Sequence, residues 1–171
     1  MKHKKIPWWM PQVGDEEYKF IKKALDDNFV NEGPLAAEFE KKIAELTGAK
    51  YAVSATSGTA AIFLALKSLG IGPGDEVIIP DITFIATANA VALAGAKPVL
   101  VDAKPEDLTI DPEAVRKAVT PRTKAVIPVH VSGRACELEE ILKIAKERRL
   151  FVVEDAAEAL TSKYRGKQVG S

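Results

Sequence analysis

The stretch FVVEDAAEAL, residues 151–160, sets three apolar residues directly before a cluster of acids. Glu154, Asp155 and Glu158 fall within a span of five positions. A carboxylate taken out of water is costly unless it is paired or hydrogen-bonded. Two arrangements meet that cost. Either the acids face solvent from a helix start, or one of them is buried against a cation that the sequence does not itself show. If Asp155 faced a ring nitrogen, its negative charge would favour the protonated ring. Its alternative role is a cap on a helix over AAEAL.

Three other places bear chemistry. In SATSGTAA, residues 54–61, a strand runs through Ser57, Gly58 and Thr59 into a helix. Such a junction presents free backbone N–H groups and the positive end of the helix dipole. Gly58 lets a ligand approach the backbone, and Ser57 and Thr59 offer hydroxyls. The junction suits an anion, phosphate above all, and equally suits an ordinary N-cap. In PDITFIATANA, residues 80–90, Phe84 opens a helix at a strand end. It is either a core residue or a face on which a flat ring stacks. In IPVHVSGR, residues 127–134, His130 ends a strand, and a packed or capping histidine is the plainer role. The sequence has neither GxxxxGK[ST] nor a GxGxxG after a strand, which argues against a P-loop and the usual dinucleotide site.

These residues need a scaffold that brings strand ends together. Residues 15–27 read as an exposed amphipathic helix, with Tyr18, Ile21 and Leu25 among many charges. Leu35, Phe39, Ile43 and Leu46 repeat at helical spacing until Gly48. Then the chain alternates. YAVSA (51–55) reads as a strand, 59–69 as a helix, EVIIP as a strand, 84–94 as a small-residue helix and KPVLVD as a strand. Asp111 and Pro112 mark a helix start. KAVIPV is a strand, 138–148 a helix and LFVVED a strand. Strands this apolar are buried on both faces, and the alternation gives a mainly parallel α/β sheet covered by helices. Ligands of such sheets sit beyond the carboxyl ends of the strands.

The bulk numbers agree with one such domain. The chain has 171 residues, 47% hydrophobic and 28% charged, with a formal net charge of zero. Zero charge gives no support to a nucleic-acid or membrane-surface role; the MKHKK start is a short solvated end. Cys136 is the only cysteine, so neither an intramolecular disulfide nor a thiolate cluster can form. No segment reaches the roughly 20 apolar residues of a membrane span, and PWWMP is too short for a signal peptide. The expectation is a cytoplasmic protein.

A phosphate cup, an aromatic platform and a carboxylate on strand ends of one sheet together fit pyridoxal 5'-phosphate (PLP), whose protonated ring is a strong electron sink. At this point the sequence resembles the DegT/DnrJ/StrS-type sugar aminotransferases. The resemblance is carried by NFVNEGPLAAEFEKKIAELTGAKYAVSATSGTAAIFLAL, GPGDEVIIPDITFIATANAVALAGAKPVLVD, IPVHVSGRA and VVEDAAEAL with YRGKQVGS. It runs from about Pro11 to the end, and the EDAAEAL spelling is similar to perosamine synthases. It implies a three-layer α/β/α fold of fold type I, the aspartate aminotransferase-like large domain. It implies that Gly58 and Thr59, beside Ser57, bind the cofactor phosphate and that Phe84 stacks on the ring. Asp155 pairs with the ring nitrogen, Glu158 lies near the ring 3-hydroxyl, and His130 lies beside the cofactor. Glu154 has no direct chemistry. The implied reaction passes an amino group, commonly from glutamate, to a keto-deoxy sugar carried on a nucleotide. It serves cell-surface polysaccharide or deoxysugar synthesis, in a homodimer whose sites are completed across the interface.

One expected part does not match. The family's Schiff-base lysine lies shortly beyond the Gly-Ser seen here as Gly170-Ser171, and Lys163 and Lys167 do not occupy its position. The expectation is therefore an N-terminal arm and helix over residues 1–35 and a partial cofactor-binding domain over 36–171. The rest of that domain and the small C-terminal domain are missing, and the chain alone is inactive. YAVSA would lose its sheet neighbours, and FVVED would become an open edge. Two other readings stay open: a non-enzymatic truncated paralogue that docks on and regulates a full-length aminotransferase, and a dehydratase relative in which another residue replaces the lysine.

Overall fold

The computed structural model describes residues 10–171; the MKHKK end and the first nine residues of the expected arm lie outside them. Two helices come first, α1 (Asp15–Asp26) and α2 (Pro34–Thr47). Neither buries a residue. α1 leaves Tyr18, Phe20, Ile21 and Leu25 exposed. Gly48 closes α2 in the left-handed region (φ 81°), which glycine adopts without steric penalty.

The body follows as α3 (Gly58–Ser68), β1 (Glu76–Pro80), α4 (Ala86–Leu93), β2 (Lys97–Val101), α5 (Pro112–Ala118), β3 (Thr123–Val126), α6 (Leu138–Arg148) and β4 (Phe151–Val152). These strands form one parallel sheet in the order β2-β1-β3-β4. Side chains alternate across it. Val77 and Ile79 pack with Ile62 and Leu66 of α3 and Ala90 and Val91 of α4. Ile78 and Val126 pack on the other face with Val115 of α5 and Ile141 and Ile144 of α6. Fully burying each isoleucine contributes roughly 1.5–3 kcal/mol. The result is three layers, α/β/α. The Asp111 carboxylate caps α5 by accepting from Glu113 N–H at 2.9 Å, one residue before Pro112 opens the helix.

Four local features differ from the sequence reading. Residues 51–55 form no ladder: Tyr51 and Val53 are 75% and 81% exposed. An extended segment becomes a strand only beside a partner, and no described strand borders this one. It is tied down instead at Ser54, whose N–H and hydroxyl both donate to Glu40 Oε1, at 2.7 and 2.8 Å. Next, α4 begins at Ala86 rather than at Phe84, which sits in the turn before it. β4 is two residues long, although its hydrogen bonding continues through Val153 N–H to Val126 O at 3.1 Å. It lies at the sheet edge. Finally, a hairpin of β5 (Lys163–Tyr164) and β6 (Lys167–Gln168) turns through Arg165 and Gly166 at φ 48° and 81°. Positive φ at both turn residues matches the twist of the paired strands.

At the opposite end of the sheet from the carboxyl ends, Glu76 is buried. It accepts from Thr120 Oγ1 at 2.6 Å and from Arg122 Nε and Nη2 at 3.0 and 2.7 Å. The Thr120 hydrogen bond, and then the Arg122 fork, hold its carboxyl below the ordinary value of 4.5. A depressed folded value stabilises the fold above the unfolded value, and that contribution fades as pH falls through the folded one. Glu76→Gln should therefore lower the urea midpoint at pH 7, and the gap to the parent should narrow in acid. Midpoints that differ equally at pH 7 and pH 3 would show that the carboxylate contributes nothing as an ion.

Candidate active site

Beyond the carboxyl ends of the strands lies a cleft of about 470 Å³. α3 supplies one wall. Ser57 is its N-cap, in extended backbone geometry, and its Oγ accepts from Ala60 N–H at 3.2 Å. The N–H groups of Gly58 and Thr59, the first two of the helix, have no acceptor among the described residues. Space over Gly58 is open, since an added Cβ would meet no atom within 4 Å. Cap and anion cup are thus compatible: the cap uses one donor and leaves two.

Phe84 stands on the cleft, 74% exposed. It is not core. The turn that places it is closed by Thr87 N–H to Phe84 O at 3.2 Å.

Asp155 is 9% exposed. Its main chain continues the sheet: Asp155 N–H donates to Pro128 O at 2.9 Å, and His130 N–H donates to Asp155 O at 3.0 Å. Its side chain takes the Thr87 hydroxyl on Oδ2 at 2.8 Å and Ala157 N–H on Oδ1 at a longer 3.3 Å. Among the described residues no cation lies within 4 Å of it. The expected alternative, a cap on a helix, does not hold, because residues 156–162 are successive turns.

Glu158 and Glu154 complete the acid cluster. Glu158 is exposed on the rim, and its Oε2 accepts from Ser132 N–H at 2.6 Å. Ser132 has φ 51°, so the carboxylate holds a strained turn. Glu154 lines the cleft, while His130 is fully buried behind it. His130 Nδ1 accepts from Cys136 N–H at 3.1 Å, which places the neutral ring's proton on Nε2, 2.8 Å from Glu154 Oε2. The same oxygen takes Gly170 N–H at 2.8 Å. The resemblance implies that His130 lies beside the cofactor and that Glu154, near the strand end, has no direct chemistry. Glu154 lines the cleft and the buried His130 ring does not, its Nδ1 facing Cys136 N–H.

The cleft thus brings together Ser57, Gly58, Thr59, Phe84, Asp155 and Glu158 and leaves out His130. Its chemistry suits an anion at the α3 start, a flat ring against Phe84 and a cation at Asp155. A PLP molecule offers these three groups, so the residues present fit it. A larger hollow of about 580 Å³ runs along α2 and residues 48–52. It is an open flank beside the unpaired 51–55 segment, without a buried polar group to receive a ligand. Among the described residues no three His, Cys, Asp or Glu are grouped to hold a metal ion.

A family model described as the DegT/DnrJ/EryC1/StrS aminotransferase family matches residues 11–171. The chain belongs to this family. DegT/DnrJ/EryC1/StrS relatives include the spore coat polysaccharide biosynthesis protein SpsC of Bacillus subtilis (strain 168), 46% identical over 166 residues, or 97% of this chain and 43% of SpsC. The GDP-perosamine synthase of Caulobacter vibrioides is 44% identical over 162 residues, 94% of this chain and 44% of its own length. Among solved structures, a GDP-4-keto-6-deoxymannose-3-dehydratase with a trapped PLP-glutamate geminal diamine superposes with a TM-score of 0.90 at 30% identity. That match covers 98% of this chain and 45% of the dehydratase. The chain therefore spans less than half the length of the relatives it matches. Its parallel sheet with helices on both faces is the α/β fold type I of DegT/DnrJ/EryC1/StrS enzymes.

Thr83 and Thr87 are site residues that the sequence analysis does not single out, and Glu154 is one to which it gives no direct chemistry. Thr83 and Thr87 are four apart at a helix start, a spacing that puts two side chains on one face. That was the available signal. The Glu154 arrangement yields a test. Glu154→Ala strips the acceptor from two donors, one of them buried, and should cost about 1–3 kcal/mol of stability. Amide exchange at Gly170 should quicken with it. Unchanged stability and unchanged Gly170 protection would remove Glu154 from this role. Cys136 supplies a second test. It is buried, its Sγ donates to Val129 O at 3.1 Å, and burial pushes its thiol up to about 12. Thiol reagents at pH 8 should label it only after unfolding, and stoichiometric labelling of the native chain would contradict that burial.

Proposed function

We propose that this chain is the cofactor-binding part of a PLP-dependent aminotransferase. The enzyme would move an amino group from glutamate to a keto-deoxy sugar carried on a nucleotide, in cell-surface polysaccharide or deoxysugar synthesis. One observation carries the reading. The Asp155 carboxylate is nearly out of water and faces no cation among the described residues, yet it shares a cleft with Phe84 and two free helix-start N–H groups. The names of the relatives support the substrate class: one is a GDP-perosamine synthase and another acts in spore coat polysaccharide synthesis.

PLP, when bound, supplies a protonated pyridine ring that withdraws electrons from the bonds to the amino-bearing carbon. The chain's own residues do the rest. Gly58 and Thr59 N–H groups bind the phosphate, helped by the α3 dipole. Phe84 covers one ring face and keeps water from it. Asp155 holds the proton on the ring nitrogen, since its negative charge favours the protonated form. Glu158, exposed at the rim, would face the ring 3-hydroxyl. Lys163 and Lys167 are exposed on the β5–β6 hairpin, and among the described residues no lysine lines the cleft. The described residues would therefore hold PLP without a covalent link. A partner copy is supported by the apolar side chains left open on α1, and a cytoplasmic setting by the nucleotide-linked substrate. No described helix is long and apolar enough to cross a membrane.

Equilibrium dialysis of the 171-residue chain against PLP tests the reading. Saturable binding of one PLP per chain is expected. Asp155→Ala and Phe84→Ala should each weaken it about tenfold or more, the loss of a charge-assisted contact or of an aromatic stack. Borohydride should leave no single lysine labelled in stoichiometric yield. Absence of saturable binding, or full affinity in Asp155→Ala, would overturn the proposal.

A further inference from the structure

We propose that Thr87, backed by Thr83, is a positioning residue that fixes which oxygen of Asp155 meets the ring nitrogen. The inference rests on the PLP reading of the cleft and extends it to two residues with no assigned role. Thr87 is fully buried at the start of α4, and its Oγ1 lies 2.8 Å from Asp155 Oδ2, 68 positions along the chain. An ionised carboxylate only accepts, so the single hydroxyl proton of Thr87 goes to Asp155. Thr83 Oγ1 lies 2.8 Å from Thr87 Oγ1. With the Thr87 proton already committed, Thr83 is the donor in that pair. Its other acceptor, Phe84 O, is farther away at 3.3 Å. The three side chains thus form a one-way chain of donors, from Thr83 on the cleft wall through Thr87 to Asp155.

This direction has a consequence at the carboxylate. Oδ2 is held by a short hydroxyl bond in a buried setting. Oδ1 has only the Ala157 N–H at 3.3 Å. Oδ1 is the less engaged oxygen, and it is the one left for a protonated ring nitrogen. Thr87 pins the carboxylate plane from behind, so the side chain cannot swing away. Thr83 lines the same cleft as Phe84, which couples the ring-stacking turn to the carboxylate through adjacent residues.

The test separates positioning from mere packing. PLP and its analogue with carbon in place of the ring nitrogen are titrated into the parent chain, Thr87→Val, Thr87→Ser and Asp155→Ala. Valine keeps the shape of threonine and removes the donor; serine keeps the donor. Thr87→Val should weaken PLP about tenfold, the loss of one hydrogen bond to a charged group, and leave the carbon analogue within about twofold. Thr87→Ser should match the parent on both. Bound PLP labelled with nitrogen-15 should show a ring-nitrogen shift moved toward the unprotonated value in Asp155→Ala and in Thr87→Val, and not in Thr87→Ser. Should Thr87→Val fail to fold, Thr83→Val on the cleft wall decides, with a smaller loss of about threefold confined to PLP. Equal weakening of both ligands, or of neither, overturns the role of Thr87. A loss of PLP affinity in Asp155→Ala beside an unaffected Thr87→Val overturns this inference and leaves the cofactor reading standing. Failure of the parent chain to bind PLP overturns both.

Discussion

A carboxylate with little water around it and no cation beside it is the constraint on which the rest of the site depends. Asp155 is 9% exposed, and its firm partner is a neutral hydroxyl. A neutral donor offsets only part of the cost of removing a charge from water. A cation brought from outside would offset the remainder. The backbone allows no retreat, because both main-chain groups of Asp155 are locked into the sheet between Pro128 and His130. The fold therefore presents a fixed negative charge at a fixed place. A ligand with a positive group on the matching atom is favoured there.

The sheet explains why the partners converge. α3 and α4 pack side by side on one face, through Ile62, Leu66, Ala90 and Val91. Their N-termini consequently reach the same end of the sheet. That end receives the free N–H groups of α3, the Phe84 turn and Thr87 from one layer, and Asp155 from the sheet itself. The opposite face, carrying α5 and α6, contributes packing through Val115, Ile141 and Ile144 and no cleft residue. Burial and chemistry are thus divided between layers. The small residues of α4 let it lie close to α3, so the cup and the carboxylate's hydroxyl partner come from adjacent helix starts.

How much of this was legible in the sequence depended on the range of the interaction. Helix α6, the Asp111 cap and the strand EVIIP are local patterns, and residue spacing alone locates them. Ser57, Gly58, Thr59, Phe84, Asp155 and Glu158 were also legible, as irregularities where apolar runs end. YAVSA fits a sheet by propensity, but no described strand borders it, which is the loss of neighbours the sequence analysis expects. The Thr87–Asp155 bond joins residues 68 apart, and His130–Glu154 joins residues 24 apart. No local pattern encodes such pairs. His130 in particular carries the same letter whether its ring enters a cleft or turns inward, and only the Cys136 N–H behind it decides.

The three acids of EDAAE then have separate explanations. Successive residues of an extended chain project to opposite sides. Glu154 accordingly turns to His130 and Gly170, and Asp155 to Thr87. The turns after Asp155 carry Glu158 back over Ser132, out in solvent. Glu154 has two donors, and Glu158 has water and an amide. Asp155 alone combines burial with a shortage of donors. All three line the one cleft, and separate donors for Glu154 and Glu158 offset part of their mutual repulsion. What remains is one nearly buried carboxylate short of donors, on a cleft wall that it shares with Glu154 and Glu158.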